Sequence, residues 1–292
     1  MASLKDIKRH ISAVKQTQKL TRAMNMVAAS KLRSTQNRAE LFRNYADEHE
    51  RLIQEIAKRS QLEACSLLKT VTSSKKALIL AITSDRGLCG SFNSNIFSSL
   101  DRALVTLLQR GLDPELFLVG RKGRDYYQRR RVTIHKSLVG ELGSFDYLMA
   151  KTIAEELIDD FTAGRYQEIW LVYTRFQSLT RLVVEFDRFL PLAQAISEKA
   201  PRTSESLDYL VEPQAQTLME RLIPRSLAIF IFRALLESVT SENAARMQAM
   251  DNASKSCKDI IENLTMAYNK ARQAAVTSEL LDIVNGAEAL KG

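Results

Sequence analysis

The chain has 292 residues, of which 45% are hydrophobic and 26% charged, and these proportions argue against a wholly disordered or collagen-like chain. Its 42 basic and 34 acidic side chains give a formal net charge of +8. The three cysteines, Cys65, Cys89 and Cys257, form no Cx2C pair and no small disulfide framework, which favours a reduced compartment. The N-terminus has no apolar signal core, and the longest uncharged stretch is too short to span a bilayer. These features predict a soluble intracellular chain.

Glycine and proline, which interrupt long helices, are unevenly distributed along the sequence. Both are absent before Gly87 and again from Arg225 to Asn285, whereas eight of the ten glycines lie between residues 87 and 164. This pattern predicts two long helical arms around a punctuated middle.

The first arm is predicted to form a helix from Leu4 to about Arg59, a length that is stable only when the helix packs against a partner. Its apolar positions begin with heptad spacing and then change frame, which predicts an irregular supercoil. The first set is Leu4, Ile7, Ile11 and Val14, and the second is Leu20, Met24, Val27, Ala28 and Leu32.

The middle of the chain alternates short apolar runs with amphipathic segments, a pattern typical of an α/β domain with a partly parallel sheet. One helix is predicted to begin at Asn93 or Asn95 and to end at Gly111, and a second to run over 147–161 and to end at Gly164. Strands are predicted at 77–84, 116–120, 169–176 and 180–190.

The last arm contains an apolar heptad strip, in which thirteen of sixteen seam positions between Ile229 and Leu281 are apolar. The predicted seam includes Ile260, Ala267 and Ala274. The natural partner of this strip is the first arm. The predicted fold is therefore mixed α+β and α/β: a long antiparallel two-helix coiled coil formed by the N- and C-terminal arms, with a central Rossmann-like α/β domain.

Candidate chemistry in the sequence is sparse. The segment TSDRGLCGSFN (83–93) contains neither GxGxxG nor a P-loop, so a structural turn with a packed Cys89 is favoured over nucleotide binding. The histidines are far apart, so surface or helix-face positions are expected, and the acidic pairs 155–156 and 159–160 are expected to be solvated. No catalytic, cofactor-binding or metal site is predicted.

Positive charge is concentrated in the first arm, where residues 1–39 contain nine basic side chains and one acidic one. A basic helix of this kind is able to bind nucleic acid, an anionic membrane or acidic protein loops. The segment RKGRDYYQRRR (121–131) is a second basic cluster, for which weak RNA binding and a solvated helix face are both open.

Three segments in this order resemble the gamma subunit family of F-type ATP synthases of the bacterial type, over essentially the full length. They are SLKDIKRHISAVKQTQKLTRAMNMVAASKLR, TSDRGLCGSFN and ENAARMQAMDNASKSCKDIIENLTMAYNKARQAAVTSELLDIVNGAEAL. Ser256-Cys257 stands where family members often have Asn-Ala, and no insertion resembling the chloroplast redox switch is present, so thiol regulation is not expected.

The resemblance implies a non-catalytic rotor shaft, present in one copy, that couples proton or ion flow to ATP synthesis or hydrolysis. The implied partners are the alpha and beta subunits, an epsilon subunit and the membrane proteolipid ring. The implied contacts with the catalytic subunits are Arg272, Gln273 and Arg246, with Met24 on the facing helix; Tyr209 and Glu212 would dock on the ring.

The resemblance further implies peripheral attachment at the cytoplasmic face of the bacterial inner membrane. The expected segments are an N-terminal helix over 1–60, an α/β domain over 75–200 and a C-terminal helix over 207–290. From composition alone, the alternative is a basic coiled-coil nucleic-acid-binding or scaffold protein.

Overall fold

The computed structural model of the chain describes residues 4–59, 74–192 and 215–289. These residues belong to two compact units, one formed by residues 1–29 with 246–292 and the other by residues 30–245. In chain order the elements are α1 (Leu4–Arg59), β1 (Lys76–Ile82), α2 (Phe92–Gln109), β2 (Asp113–Val119), α3 (Arg121–Tyr127), β3 (Thr133–Leu138), a 3-10 turn (Glu141–Gly143), α4 (Tyr147–Thr162), β4 (Glu168–Ser178), β5 (Arg181–Leu190) and α5 (Ala215–Ala289).

The smaller unit is an antiparallel pair formed by the first part of α1 and the last part of α5. The Asn25 side-chain amide donates to the Met247 carbonyl oxygen at 2.8 Å, and that of Gln18 donates to the Ser254 carbonyl at 3.3 Å. Residue numbers rise along α1 as they fall along α5, which fixes the antiparallel direction. The predicted helical pair is confirmed here.

The seam of α1 differs from the predicted frame change. Its less exposed residues continue at the same alternating three-and-four spacing, because Gln18, Thr21 and Asn25 occupy the seam after Val14. Leu20 is 61% exposed and Val27 is 58% exposed, so neither lies on it. The predicted shift was wrong because hydrogen-bonding polar side chains replace apolar ones without changing the period.

In the last part of α5, every second seam position that the sequence predicts is correct. Cys257, Leu264 and Ala271 lie on the less exposed face, but Ile260, Ala267 and Ala274 are exposed. The alternate seam positions are each one residue later, at Ile261, Tyr268 and Ala275. Alanine and isoleucine pairs at 260–261 and 274–275 fit either register by hydrophobicity, so the sequence pattern alone did not distinguish the two.

The larger unit contains a five-stranded sheet in the order β3-β2-β1-β4-β5. The first four strands are parallel, and β5 pairs antiparallel with β4 at one edge. Strands β1 and β2 are buried at every residue after their first, as expected for central strands that are covered on both faces. This sheet confirms the predicted α/β domain.

The two faces of the sheet have separate apolar cores. One face packs against α2, with Ile96, Leu100 and Leu107 completely or almost completely buried. The other packs against α4 and the first half of α5, with Leu157, Ile231 and Leu235 fully buried. Part of each long helix is therefore a layer of the α/β unit as well as half of a helical pair.

The long helices are also paired within the larger unit. Arg43 of α1 donates to Glu237 of α5 at 2.8 Å, and Arg233 of α5 donates to Asp47 of α1 at 3.0 Å. The Glu237 side chain is only 2% exposed, and its other oxygen accepts from the Phe176 backbone N–H of β4 at 2.9 Å. This carboxylate joins α1, α5 and the sheet.

The sequence analysis missed two elements, α3 and β3. Helix α3 occupies part of the second basic cluster, and Tyr127 is fully buried at its end. Strand β3 (TIHKSL) contains only exposed and partly exposed residues at the sheet edge. Its weak apolar signal reflects that edge position, since only one side of the strand is paired.

Candidate subunit-contact site

The last part of α5 continues beyond the described start of α1. In the helical pair, the sum of paired residue numbers is 18 + 254 = 272 and 25 + 247 = 272, so Leu4 lies level with Tyr268. The 21 residues from Asn269 to Ala289 therefore extend about 30 Å farther along the helix axis.

This projecting part of α5, residues 269–289, exposes several large apolar side chains. Each of them has 49% or more of its surface exposed. Exposed apolar side chains in such number on one helical segment mark a surface that a partner protein covers. They are Val276, Leu280, Leu281, Ile283 and Val284.

Arg272 and Gln273 lie near the base of the projecting part, and both side chains are exposed. Their neighbour Ala271 is on the less exposed face, so the two side chains point away from the seam. The guanidinium of an exposed arginine is free to form bidentate hydrogen bonds with a carboxylate of a partner.

Met24 and Arg246 form a separate location. Both are partly exposed and lie at the level of the Asn25 to Met247 hydrogen bond. Arg246 is about 39 Å from Arg272 along the axis, at 1.5 Å for each of 26 residues. The structure thus places Met24 and Arg246 at a similar level of the helical pair and places Arg272 and Gln273 elsewhere on it.

Tyr209 and Glu212, the predicted ring contacts, lie outside the described residues. Their docking role stays a prediction.

The loop that contains TSDRGLCGSFN connects β1 to α2 and is held in place by hydrogen bonds among its own polar groups. The Asn93 amide accepts from the Ser84 backbone N–H at 3.1 Å and donates to the Ser84 hydroxyl at 2.7 Å. It also donates to the sulfur of Cys89, which is 2% exposed. These groups are engaged within the loop, as expected for a structural turn.

The same loop is attached to the neighbouring strand ends. Asp85 accepts from the backbone N–H groups of Arg121 and Gly140, at 3.0 and 2.9 Å. Gly120 has φ +108°, and a Cβ there would lie 2.2 Å from the Thr83 carbonyl oxygen. Glycine is required at this position because the backbones approach too closely for any side chain.

Two expectations about titratable residues were wrong. His135 lies on strand β3 rather than on a helix face or free surface, and the Asp160 residue is only 5% exposed although it belongs to a pair predicted to be solvated. His135 Nε2 is 3.3 Å from Asp160 Oδ2. Sequence reasoning missed this contact because β3 was not predicted, so nothing placed the two residues together.

Among the described side chains, no group of three or more histidine, cysteine or acidic residues is arranged to hold a metal ion. Within residues 4–59, 74–192 and 215–289, no helix combines the length and apolar character needed to cross a bilayer.

These features define a class: a protein with an antiparallel helical pair, a projecting helix end with exposed apolar side chains, and an α/β unit whose loop between β1 and α2 is held by its own hydrogen bonds. A sequence profile described as ATP synthase matches residues 3–290. The ATP synthase gamma chain of Syntrophobacter fumaroxidans is 42% identical, with all of both chains covered. That of Syntrophus aciditrophicus is 41% identical, with 99% of each covered. The chain belongs to the ATP synthase gamma chain family.

Solved structures show the same fold. A chain of the Tetrahymena thermophila mitochondrial ATP synthase, from a structure of the central stalk and c-ring, is 30% identical with a TM-score of 0.59. The alignment covers 80% of the present chain and 99% of that one. A chain of the Euglena gracilis mitochondrial enzyme has a TM-score of 0.68 at 18% identity, covering 98% and 94% of the two chains.

Proposed function

We propose that this chain is the central-stalk rotor subunit of an F-type ATP synthase and that it couples ion flow through a membrane ring to ATP synthesis or hydrolysis by rotation. The observation that carries the proposal is the projecting part of α5, which extends beyond the described start of α1 and has exposed apolar side chains. The family membership and the central-stalk neighbour support the same role.

A single helix of this kind suits a shaft tip because it is stable only when something surrounds it. Covering its apolar side chains contributes roughly 25 cal/mol per Å2 of apolar surface removed from water. A ring of alpha and beta subunits would supply that cover. The alternative of a basic nucleic-acid-binding or scaffold protein is not supported by the comparisons.

Coupling by rotation requires the shaft to be asymmetric. A partner's conformational equilibrium shifts only when the shaft contacts its states differently. The proposed contacts lie at two levels, with Arg272 and Gln273 at the base of the projecting part and Arg246 and Met24 farther along the pair. Each catalytic subunit would therefore meet a different set of side chains as the shaft turns.

The remaining assignments follow from the same role. The chain would be non-catalytic, with nucleotide chemistry in the alpha and beta subunits, and would be present in one copy. An epsilon subunit would bind the α/β unit, and Tyr209 and Glu212 would contact the proteolipid ring. The complex would hold the chain at the cytoplasmic face of the bacterial inner membrane.

The assembly test is purification of the tagged chain from its native membranes, with identification of its partners by mass and an assay of ATP hydrolysis. We expect one copy with several larger nucleotide-binding subunits, and hydrolysis by the complex but not by the free chain. Recovery of nucleic acid, or of no stable partner, would contradict the rotor role.

The contact test is the double variant Arg272→Ala and Gln273→Ala in the assembled complex. ATP hydrolysis should fall while the helical content of the chain is unchanged, because both side chains are exposed. Lys270→Ala is the matched control, since Lys270 is an exposed basic residue on the same turn of α5. Equal turnover in wild type and double variant would remove these two residues from the contact site.

A further inference from the structure

Strand β4 continues past the end of its neighbour β1. The parallel ladder between these strands ends where Ala81 pairs with Val172, whereas the antiparallel ladder between β4 and β5 continues to the pair of Ser178 and Arg181. In the sheet order, β1 is the strand on that side of β4. Among the described residues, the edge of β4 beyond Val172 therefore has no strand beside it, although its backbone groups still need hydrogen-bond partners.

Helix α5 supplies these partners from its side chains. The Thr174 backbone N–H donates to the Ser238 hydroxyl at 3.1 Å, and the Ser241 hydroxyl donates to the Thr174 carbonyl oxygen at 3.1 Å. Two residues farther along β4, the Phe176 N–H donates to the Glu237 carboxylate at 2.9 Å. Backbone groups of alternate residues face the same edge of a strand, so the side chains of α5 take the place of a neighbouring strand.

These contacts are buried and involve the strand backbone. Glu237, Ser238, Ser241 and Thr174 are each 2% exposed or less. Among the described residues, the Thr174 hydroxyl has no hydrogen-bond partner, so α5 holds the backbone of this residue rather than its side chain. Because water does not reach the contacts, loss of either serine hydroxyl leaves a buried backbone group unsatisfied.

The spacing of the three side chains restricts rotation of α5 about its own axis. Apolar side chains such as Ile231 and Leu235 also pack on this face of the sheet, but apolar attraction is non-directional. A hydrogen bond weakens steeply when its angle changes. Glu237, Ser238 and Ser241 lie within about 100° of one another around the helix, so a turn of one residue would break all three bonds.

We propose that Glu237, Ser238 and Ser241 form a torque joint that fixes the rotational position of α5 against the sheet of the α/β unit. The joint rests on the rotor role, in which a turning force passes between this unit and the long helices. Glu237 extends the joint to α1, because its second oxygen accepts from Arg43 at 2.8 Å. The three are positioning residues that act through α5.

The contacts of the torque joint are tested in the wild-type complex by hydrogen exchange, resolved to single amides by mass spectrometry. The amides of Thr174 and Phe176 should be as protected as those in the part of β4 that pairs with β1. Exchange of these two amides at the rate of an unstructured peptide would overturn the proposal, and this measurement needs no variant.

The transmission of torque is tested with the double variant Ser238→Ala and Ser241→Ala. Loss of the two hydroxyls should lower the protection of the Thr174 amide by about tenfold. In membranes that contain the complex, the number of ions pumped per ATP hydrolysed should fall, because α5 slips against the sheet under load while hydrolysis continues. A folding defect alone would lower pumping and hydrolysis in the same proportion and would contradict the joint.

The matched control is Thr240→Val, which removes a buried hydroxyl between the two serines. This hydroxyl donates to the Leu236 carbonyl of the same helix at 2.7 Å and not to the sheet. The control should keep the wild-type ratio of pumping to hydrolysis. The milder variant Ser241→Ala removes one of the bonds and should give an intermediate ratio.

Two further outcomes separate the torque joint from the rotor role. A wild-type ratio in the double variant, together with faster exchange of the Thr174 amide, would show that the contacts exist without transmitting torque and would overturn the joint alone. Recovery of the chain without an ATP-hydrolysing complex would contradict the rotor role, and with it the function of the joint, while protection of the two amides would stand.

Discussion

Glu237 offers the sharpest test of how the long helices are joined to the sheet. Its carboxylate is almost fully buried and accepts from Arg43 of α1 and from the Phe176 N–H of β4. Replacement by alanine removes both acceptors at once. It leaves a strand N–H without its partner and an arginine beside an apolar gap.

The expected cost follows from these contacts. A hydrogen bond to a charged group contributes about 1.5–3 kcal/mol, and a buried donor left unsatisfied costs about 1–3 kcal/mol. The Arg43 side chain is 39% exposed, so water recovers part of its hydration and the total is reduced. We expect Glu237→Ala to lower the free energy of unfolding by about 2–4 kcal/mol and Glu237→Gln by about 1 kcal/mol.

Urea unfolding followed by tryptophan fluorescence measures this cost, because Trp170 is the only tryptophan of the sequence and lies on β4 of the same unit. Glu262→Ala, at an exposed position farther along α5, is the control and should change stability little. If Glu237→Ala costs less than about 1 kcal/mol, the carboxylate does not join the three elements as inferred.

Three further outcomes are expected. Ile261→Lys should lower the melting temperature of the helical pair by circular dichroism, whereas Ile260→Lys should not; equal effects would refute the corrected seam. Gly120→Ala should yield no soluble folded α/β unit, because its Cβ would overlap the Thr83 carbonyl; a native fluorescence spectrum would contradict this. Because burial raises the pKa of Tyr166, unfolded chains lose that proton near pH 10 first, so the contribution of Tyr166 to stability should be constant below about pH 10 and be lost above it. A spectrophotometric titration with every tyrosine ionising near pH 10 would disagree.

The polar residues in the α1 seam have a structural consequence for the pair. Gln18 and Asn25 donate to backbone carbonyls of α5, so a slip of either helix would leave these amides without acceptors. Polar seam residues commonly fix register at some expense of stability. Fixed register matters for a shaft, because the side chains at each level must stay in place while partners are contacted.

Much of the architecture was predictable from local sequence. The absence of glycine and proline located two long helices, although α5 also includes Pro224 and Gly286, and the described extent of α1, Leu4–Arg59, agrees with the prediction. The central strands were found because burial on both faces requires continuous apolar runs. Resemblance of motifs then led to the family, which the comparisons confirm.

The details that failed depend on contacts between distant residues. Heptad patterns located the helical pair, but Ile260 and Ile261 are equally apolar, and only packing against α1 decides which of them faces the seam. Strand β3 was missed because an edge strand needs few apolar residues. Asp160 and His135 each look like ordinary surface residues in the sequence. The sequence by itself determined where the helices and central strands form, since periodicity is a local property; the tertiary structure alone decided the seam register and the contact between His135 and Asp160, since both depend on which side chains meet across the fold.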